Sequence, residues 1–241
     1  MILGGGYIGA ELGHFFAALG TEVTLIHRGA QLLEREDAEI SQRFTALYAQ
    51  HCALLLRTQV HGVQQQADGI TLTLSGAHAP AQVSTDTLLL ATGRLPNTDL
   101  LDVARAGIAL NAQGRIITNA YYETSVPGIW ALGDITNPHQ LKHAANADAR
   151  VVAYNVAYPQ TPRRGNATAM PHAVFSSPQV ASVGLSEREV QAQGWPYLVG
   201  RQAAPPAGRA ACGGLPRCAS AGSGLASSRG AEATRGVEKA V

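Results

Sequence analysis

Hydrophobic residues in this sequence switch between short unbroken runs and helical spacing. Met1-Ile2-Leu3 reads as a buried strand that runs into a glycine turn at Gly4 to Gly6. Gly9 to Leu19 then carries an apolar face at helical spacing and stops at Gly20, a natural residue for ending a helix. "TEVTLIH" follows with little polar alternation, the pattern of a parallel strand buried on both faces. "DAEISQRFTALYAQHC" predicts a second helix, with Ile40, Phe44, Leu47 and Tyr48 as its apolar positions. Short strands come next: "ALLLRTQVHGVQQQ", a turn at Ala67-Asp68-Gly69, "ITLTLS", and later "TLLLATG". A β-α-β start that passes into a meander predicts an α/β fold with a small antiparallel addition.

From Gly93 the pattern changes. "GRLPNTDLL" is a Pro/Asn-rich crossing, and "GRIITNAYYETSVPGIWALGD" predicts two short strands, the second ending at Gly133-Asp134. A helix is expected from about His143 to Ala157, then a linker, "YPQTPRRGNATAMP". "HAVFSSPQVASVGL" reads as a hairpin, and "SEREVQAQG" as a helix with a capping box at Ser186 and Glu189 that ends at Gly194. After Gly200 the composition collapses into Ala, Gly, Arg and Ser with neither period. Such a stretch buries too little apolar surface to offset its ordering entropy, so it is expected to be unfolded, and a shifted reading frame would produce it. These shifts divide the chain into 1–93, 94–165, 166–200 and 201–241.

Composition narrows the classes. The 241 residues are 46% hydrophobic, which suits a packed α/β core, and the formal net charge of +1 gives no electrostatic reason to bind nucleic acid or an anionic membrane. No apolar run approaches the roughly 18 residues of a spanning helix, and no secretory signal pattern opens the chain. Three cysteines, Cys52, Cys212 and Cys218, make no disulfide framework in a chain this long, which points to a reducing cytoplasm. Cys52 closes a helix and reads as a buried core thiol.

The candidate chemistry begins at the glycine turn. Gly4, Gly6 and Gly9 form G-x-G-x-x-G between a strand and a helix. The first glycine allows the tight turn, the second lets backbone approach a pyrophosphate, and the third lets helix pack on strand. The helix N-terminus adds unpaired N–H groups and partial positive charge for phosphates. At the end of the second strand stand His27 and Arg28, with no acid until Glu34. A guanidinium there suits the extra phosphate of NADPH rather than the ribose hydroxyls of NADH. Asp134 ends a strand shortly before a helix that opens at Lys142-His143, so it reads either as a turn residue or as part of an expected second ligand site.

"GGGYIGAE", "ATGRLPN", "IWALGD" and "AVFSSPQVASVGLSE", in this order and spacing, resemble the flavoprotein pyridine nucleotide–disulfide oxidoreductases over roughly residues 1–198. Within that family, "ATGRLPNTDLL" and "GDITNPHQLKHAANADARVV" look most like the branch that reduces mycothiol disulfide with NADPH. The resemblance implies an α/β architecture: a Rossmann-like NAD(P)-binding domain inserted in a partial FAD-binding domain, followed by the start of an α/β dimerisation domain. It also implies FAD and NADPH as cofactors, a small-molecule disulfide as substrate, and a homodimer.

By the same resemblance, Gly4, Gly6 and Gly9 would cradle the NADPH pyrophosphate, with Ile8 beside them. Tyr7 would be the ring that covers the flavin until nicotinamide displaces it, and Glu11 would sit beside the nicotinamide amide. Arg28 would hold the 2′-phosphate with His27 nearby, while Val60 and Gly93 would line the cofactor by backbone. Asp134 would bond the flavin ribityl chain, and the backbone at Lys142-His143 would face the flavin pyrimidine. One position departs: the family's NADPH enzymes carry a second phosphate-binding arginine where this chain has Glu34, with Arg35 beside it as a substitute.

The family's Cys-x4-Cys pair and its His-Glu pair have no counterpart here. Cys212 and Cys218 are spaced x5 on the wrong side of the glycine turn and read as incidental. The chain alone is therefore expected to lack disulfide reductase activity. Two other readings stay open: a non-catalytic NADPH-binding remnant, and a fragment of a dihydrolipoamide dehydrogenase or mercuric reductase-like enzyme.

Overall fold

A computed structural model describes residues 1–165 and 170–201. Strands β1 (Ile2–Leu3), β2 (Thr24–Ile26) and β3 (Ala53–Leu55) alternate with helices α1 (Tyr7–Ala18) and α2 (Ala38–Tyr48). An antiparallel meander follows, β4 (Gln59–Gln66), β5 (Gly69–Ser75) and β6 (Gln82–Thr85), before β7 (Leu89–Leu90) returns to the first sheet. That sheet is parallel throughout, in the order β3-β2-β1-β7. Its strands are almost wholly apolar because both faces of its middle strands are covered, while Ala53 and Leu90 at the two edges are exposed. Ile2, Leu25 and Leu54 pack with Ala10, Phe44 and Tyr48 of the helices. Their neighbours Leu3, Ile26 and Leu55 pack against Leu72, Leu74 and Val83 of the meander.

Helix α1 corrects the apolar face expected over Gly9–Leu19. Its buried residues are Gly9, Ala10 and Gly13, while Phe15, Phe16 and Leu19 are exposed. The helix lies so close to its neighbours that a Cβ at Gly13 would run into the Tyr48 hydroxyl. Small residues take the contact, and the large ones are left outside. Phe15 and Phe16 meet each other edge to face at 5.3 Å. β6, which pairs with β5, was not expected, because "QVST" is too short to show alternation.

The two strands expected in "GRIITNAYYETSVPGIWALGD" do not form. Residues 108–130 hold only the single bridges Leu110–Ile116, Thr118–Thr124 and Glu123–Trp130. Asn111 and Asn119 explain it, because each side-chain oxygen accepts two backbone N–H groups further along and folds the chain into a turn. Val103, Ile116 and Ala131 give this segment a small core of its own.

The remaining elements follow the expected pattern: α3 (Lys142–Ala157), the antiparallel hairpin β8 (Pro171–Val174) and β9 (Val180–Val183), and α4 (Glu187–Ala192). At the start of α4, Ser186 Oγ accepts from the Glu189 N–H and the Ser186 N–H donates to Glu189 Oε2, a complete capping box. Val174 and Val180 of the hairpin sit in the same core as β1, β2, α1 and α2. Cys52 is buried there as well, and burial raises its thiol pKa. Among the described residues no helix is long and apolar enough to cross a membrane. The expectations for the tail after Arg201, with Cys212 and Cys218, fall outside the described residues.

Candidate functional site

The strand order reverses between β1 and β7, and in an open parallel sheet the crevice beyond the carboxyl ends at such a point takes the ligand. The glycine turn lies there. Gly4 has φ +121°, and a Cβ on it would overlap the Ala91 carbonyl that follows β7. Gly9 lets α1 close onto the turn, since a Cβ there would strike the Gly4 carbonyl oxygen. At Gly6 a Cβ would meet nothing within 4 Å, and this glycine begins α1 without any side-chain cap. Open space beside uncapped helix N–H groups is what a pyrophosphate needs. Gly5 was not singled out by the motif, yet a Cβ there would lie 2.7 Å from both the His27 ring and Leu32.

At the end of β2 the two basic residues part ways. His27 turns inward, its Nδ1 accepting the Gly5 N–H at 3.2 Å, and burial lowers its pKa, so it braces the turn as a neutral ring. Arg28 is exposed. Glu34 folds back over Gly29, with Oε2 3.8 Å from His27 Nε2. Val60 lies in β4 opposite Leu74, its side chain packed on the meander core. Gly93 is exposed with φ +120°, and a Cβ on it would meet nothing within 4 Å.

A second centre gathers round Gly133-Asp134. Gly133 has φ +74° and opens a short 3-10 turn. Buried Asp148 of α3 holds that turn, accepting from the Tyr122 hydroxyl, the Gly133 N–H and the Asn137 amide. Asp134 itself is exposed and accepts from Arg94 at 2.8 Å, which ties the segment after Gly93 to this turn. Helix α3 opens at Lys142 with no side-chain cap and no acid in its first turn. His143 Nε2 bonds the Pro171 carbonyl at 2.7 Å, which links α3 to the hairpin.

Comparison with known proteins decides the family. The family model of the pyridine nucleotide-disulphide oxidoreductases matches residues 1–150, and that of their dimerisation domain matches residues 170–218. The chain belongs to the pyridine nucleotide-disulphide oxidoreductases. It is 40% identical to mycothione reductase of Mycobacterium tuberculosis over 198 residues, 80% of this chain and 42% of the relative. It is 37% identical to mercuric reductase of Streptomyces lividans over 195 residues, 80% of this chain and 41% of the relative. Among solved structures it is similar to the HOCl-induced flavoprotein disulfide reductase RclA of Escherichia coli, with TM-score 0.69 and 30% identity over 80% of this chain and 44% of that one. The chain spans about two fifths of the length of the curated relatives it matches, 42% of the first.

The chain also contains a cluster that the sequence did not reveal. Buried Glu36 accepts from the Tyr7 hydroxyl at 2.7 Å, from His172 at 2.7 Å and from Ser182. Burial alone would raise the carboxyl pKa; the hydrogen bonds from His172, Ser182 and Tyr7 outweigh it and bring it down to about 2. Tyr7 stacks obliquely on His172 at 5.4 Å, and burial followed by the bond to Glu36 raises its phenol pKa well above the usual range. Glu11 joins the same face, accepting the Phe175 N–H at 2.9 Å. No motif marks Glu36, because its partners on β8 and β9 lie far along the chain. Thus Gly4, Gly6, Tyr7, Ile8, Gly9 and His27 meet at one turn, Glu11 reaches from it to the hairpin, and Asp134, Lys142 and His143 form the second centre.

Proposed function

We propose that this chain serves an FAD-dependent enzyme that passes electrons from NADPH to a low-molecular-weight disulfide, with mycothiol disulfide as the substrate. The observation that carries the reading is the turn from Gly4 to Gly9, closed by glycine at two points and open at Gly6. The residues fit a dinucleotide there: first-turn N–H groups of α1 for the pyrophosphate, and Arg28 for the 2′-phosphate. They also fit a flavin at the second centre, where Gly133-Asp134 and the uncapped start of α3 offer an acceptor and a positive helix end. A bound flavin supplies the relay between a two-electron hydride donor and a disulfide.

The chain's own side chains bind and orient. Glu11 would fix the nicotinamide amide, and Tyr7, held in this structure by Glu36 and His172, would act as the covering ring with Ile8 beside it. Val60 and Gly93 line the dinucleotide by backbone. Asp148 positions the Gly133-Asp134 turn rather than touching cofactor. Residues 1–93 form the NAD(P)H-binding unit, 94–165 the FAD-binding part and 166–200 the beginning of a homodimer interface. The 40% identity to mycothione reductase supports mycothiol disulfide.

The chain alone, without a Cys-x4-Cys pair, is expected to turn over no disulfide, so NADPH oxidation by the enzyme it serves should be assayed against mycothiol disulfide, lipoamide and mercuric ion in parallel. Preferential turnover of mycothiol disulfide is expected. Preference for either other substrate removes the substrate assignment, and no NADPH oxidation with any of them removes the reductase reading.

A further inference from the structure

Tyr7 is the first residue of α1, next to the glycine whose open side would take the pyrophosphate, and its side chain is tied down. The hydroxyl donates to Glu36 Oε1 at 2.7 Å, and His172 Nε2 donates to the same oxygen at 2.7 Å. These two donors lie 3.2 Å apart, with the Tyr7 and His172 rings tilted against each other. Ser182 donates to the other oxygen, Glu36 Oε2. Glu36 is firmly placed: it is buried, and its neighbour Asp37 accepts the Glu187 N–H at the start of α4 at 2.8 Å.

Tyr7 and Glu11 stand four residues apart, on one face of α1. The hairpin covers that face, since His172 meets Tyr7 and the Phe175 N–H donates to Glu11 Oε1 at 2.9 Å. A nicotinamide ring beside Glu11 must therefore enter between α1 and the hairpin, where the Tyr7 ring lies. To make room, Tyr7 has to give up a hydrogen bond to a buried carboxylate, one of the stronger kinds.

We propose, resting on the nicotinamide-end roles given to Tyr7 and Glu11 above, that Glu36 is a positioning residue of the dinucleotide site. With His172 and Ser182 it holds Tyr7 closed across the nicotinamide end, so that each binding event breaks the Tyr7–Glu36 bond. Dinucleotide affinity then depends on residues of the hairpin as well as on the glycine turn. The adenosine and pyrophosphate end binds outside this latch and does not feel it.

Calorimetric titration of the full chain with NADPH and with 2′-phospho-ADP-ribose, which lacks only the nicotinamide, tests it. Tyr7→Phe keeps the ring and leaves Glu36 with His172 and Ser182, so the variant should fold. Its NADPH affinity should rise about tenfold, because a closed state that competed with binding is weakened. Affinity for 2′-phospho-ADP-ribose should not change. Glu36→Gln should shift the ratio of the two affinities the same way, and the double variant should add nothing, because one bond is lost only once. A Glu36 with a merely structural role lowers the melting temperature and leaves that ratio alone. Tyr7→Phe binding NADPH no more tightly, a shift shared by both ligands, an unchanged ratio in Glu36→Gln or additive effects in the double variant overturns the inference, and the dinucleotide site still stands. If the wild-type chain binds neither ligand, the site itself is wrong and the inference falls with it.

Discussion

Each glycine of the first turn answers a different steric demand, and substitutions there should fail in different ways. Gly4→Ala forces a side chain into the Ala91 carbonyl at φ +121°, with an expected cost of about 2–4 kcal/mol in urea denaturation. Gly6→Ala meets nothing in the folded chain, so its stability should change by less than about 0.5 kcal/mol. Its methyl group instead stands where a pyrophosphate would approach, and NADPH affinity should fall about tenfold or more by fluorescence titration. The three spaced glycines were legible because their roles are local to strand, turn and helix. Gly5 was not: what crowds it is the His27 ring and Leu32, which arrive only after α1 and β2 have folded back.

Among the elements, β1, β2 and α2 were legible because burial on two faces, or on one helical face, leaves a periodic trace, whereas the apolar spacing of α1 pointed to a face that the helix leaves exposed. Residues 108–130 misled because two asparagines divert their N–H groups into turns, a choice that hydrophobic spacing does not record. The Glu36 cluster was hidden for a third reason, since elements distant in sequence supply it. It should nevertheless dominate the acid side of the stability curve. A carboxyl whose pKa falls from 4.5 to about 2 on folding contributes stability that is complete above its unfolded pKa and is lost as pH falls through the folded one. Thermal melts should therefore fall between pH 4.5 and about 2, and Glu36→Gln should flatten that slope. The variant should also cost about 1–3 kcal/mol at neutral pH, because the Tyr7, His172 and Ser182 donors lose a charged acceptor.

At the scale of the whole molecule, the hairpin does not stand apart from the sheet unit that precedes it. Val174 and Val180 are buried in the core that also holds Ile2, Leu25 and Phe44. Val174→Ala should then lower global stability by about 2 kcal/mol, with one unfolding transition shared by probes in β2 and β8. Separate melting of the hairpin would show that the two do not share a core. The shared carboxylate has a further consequence for how relatives diverge. A descendant that loses the acid at Glu36 leaves His172 and Ser182 as stranded donors, and one that loses either donor leaves a sealed-in anion short of a partner. Substitutions at these three sites should therefore be inherited together, as linked changes between segments far apart in the chain.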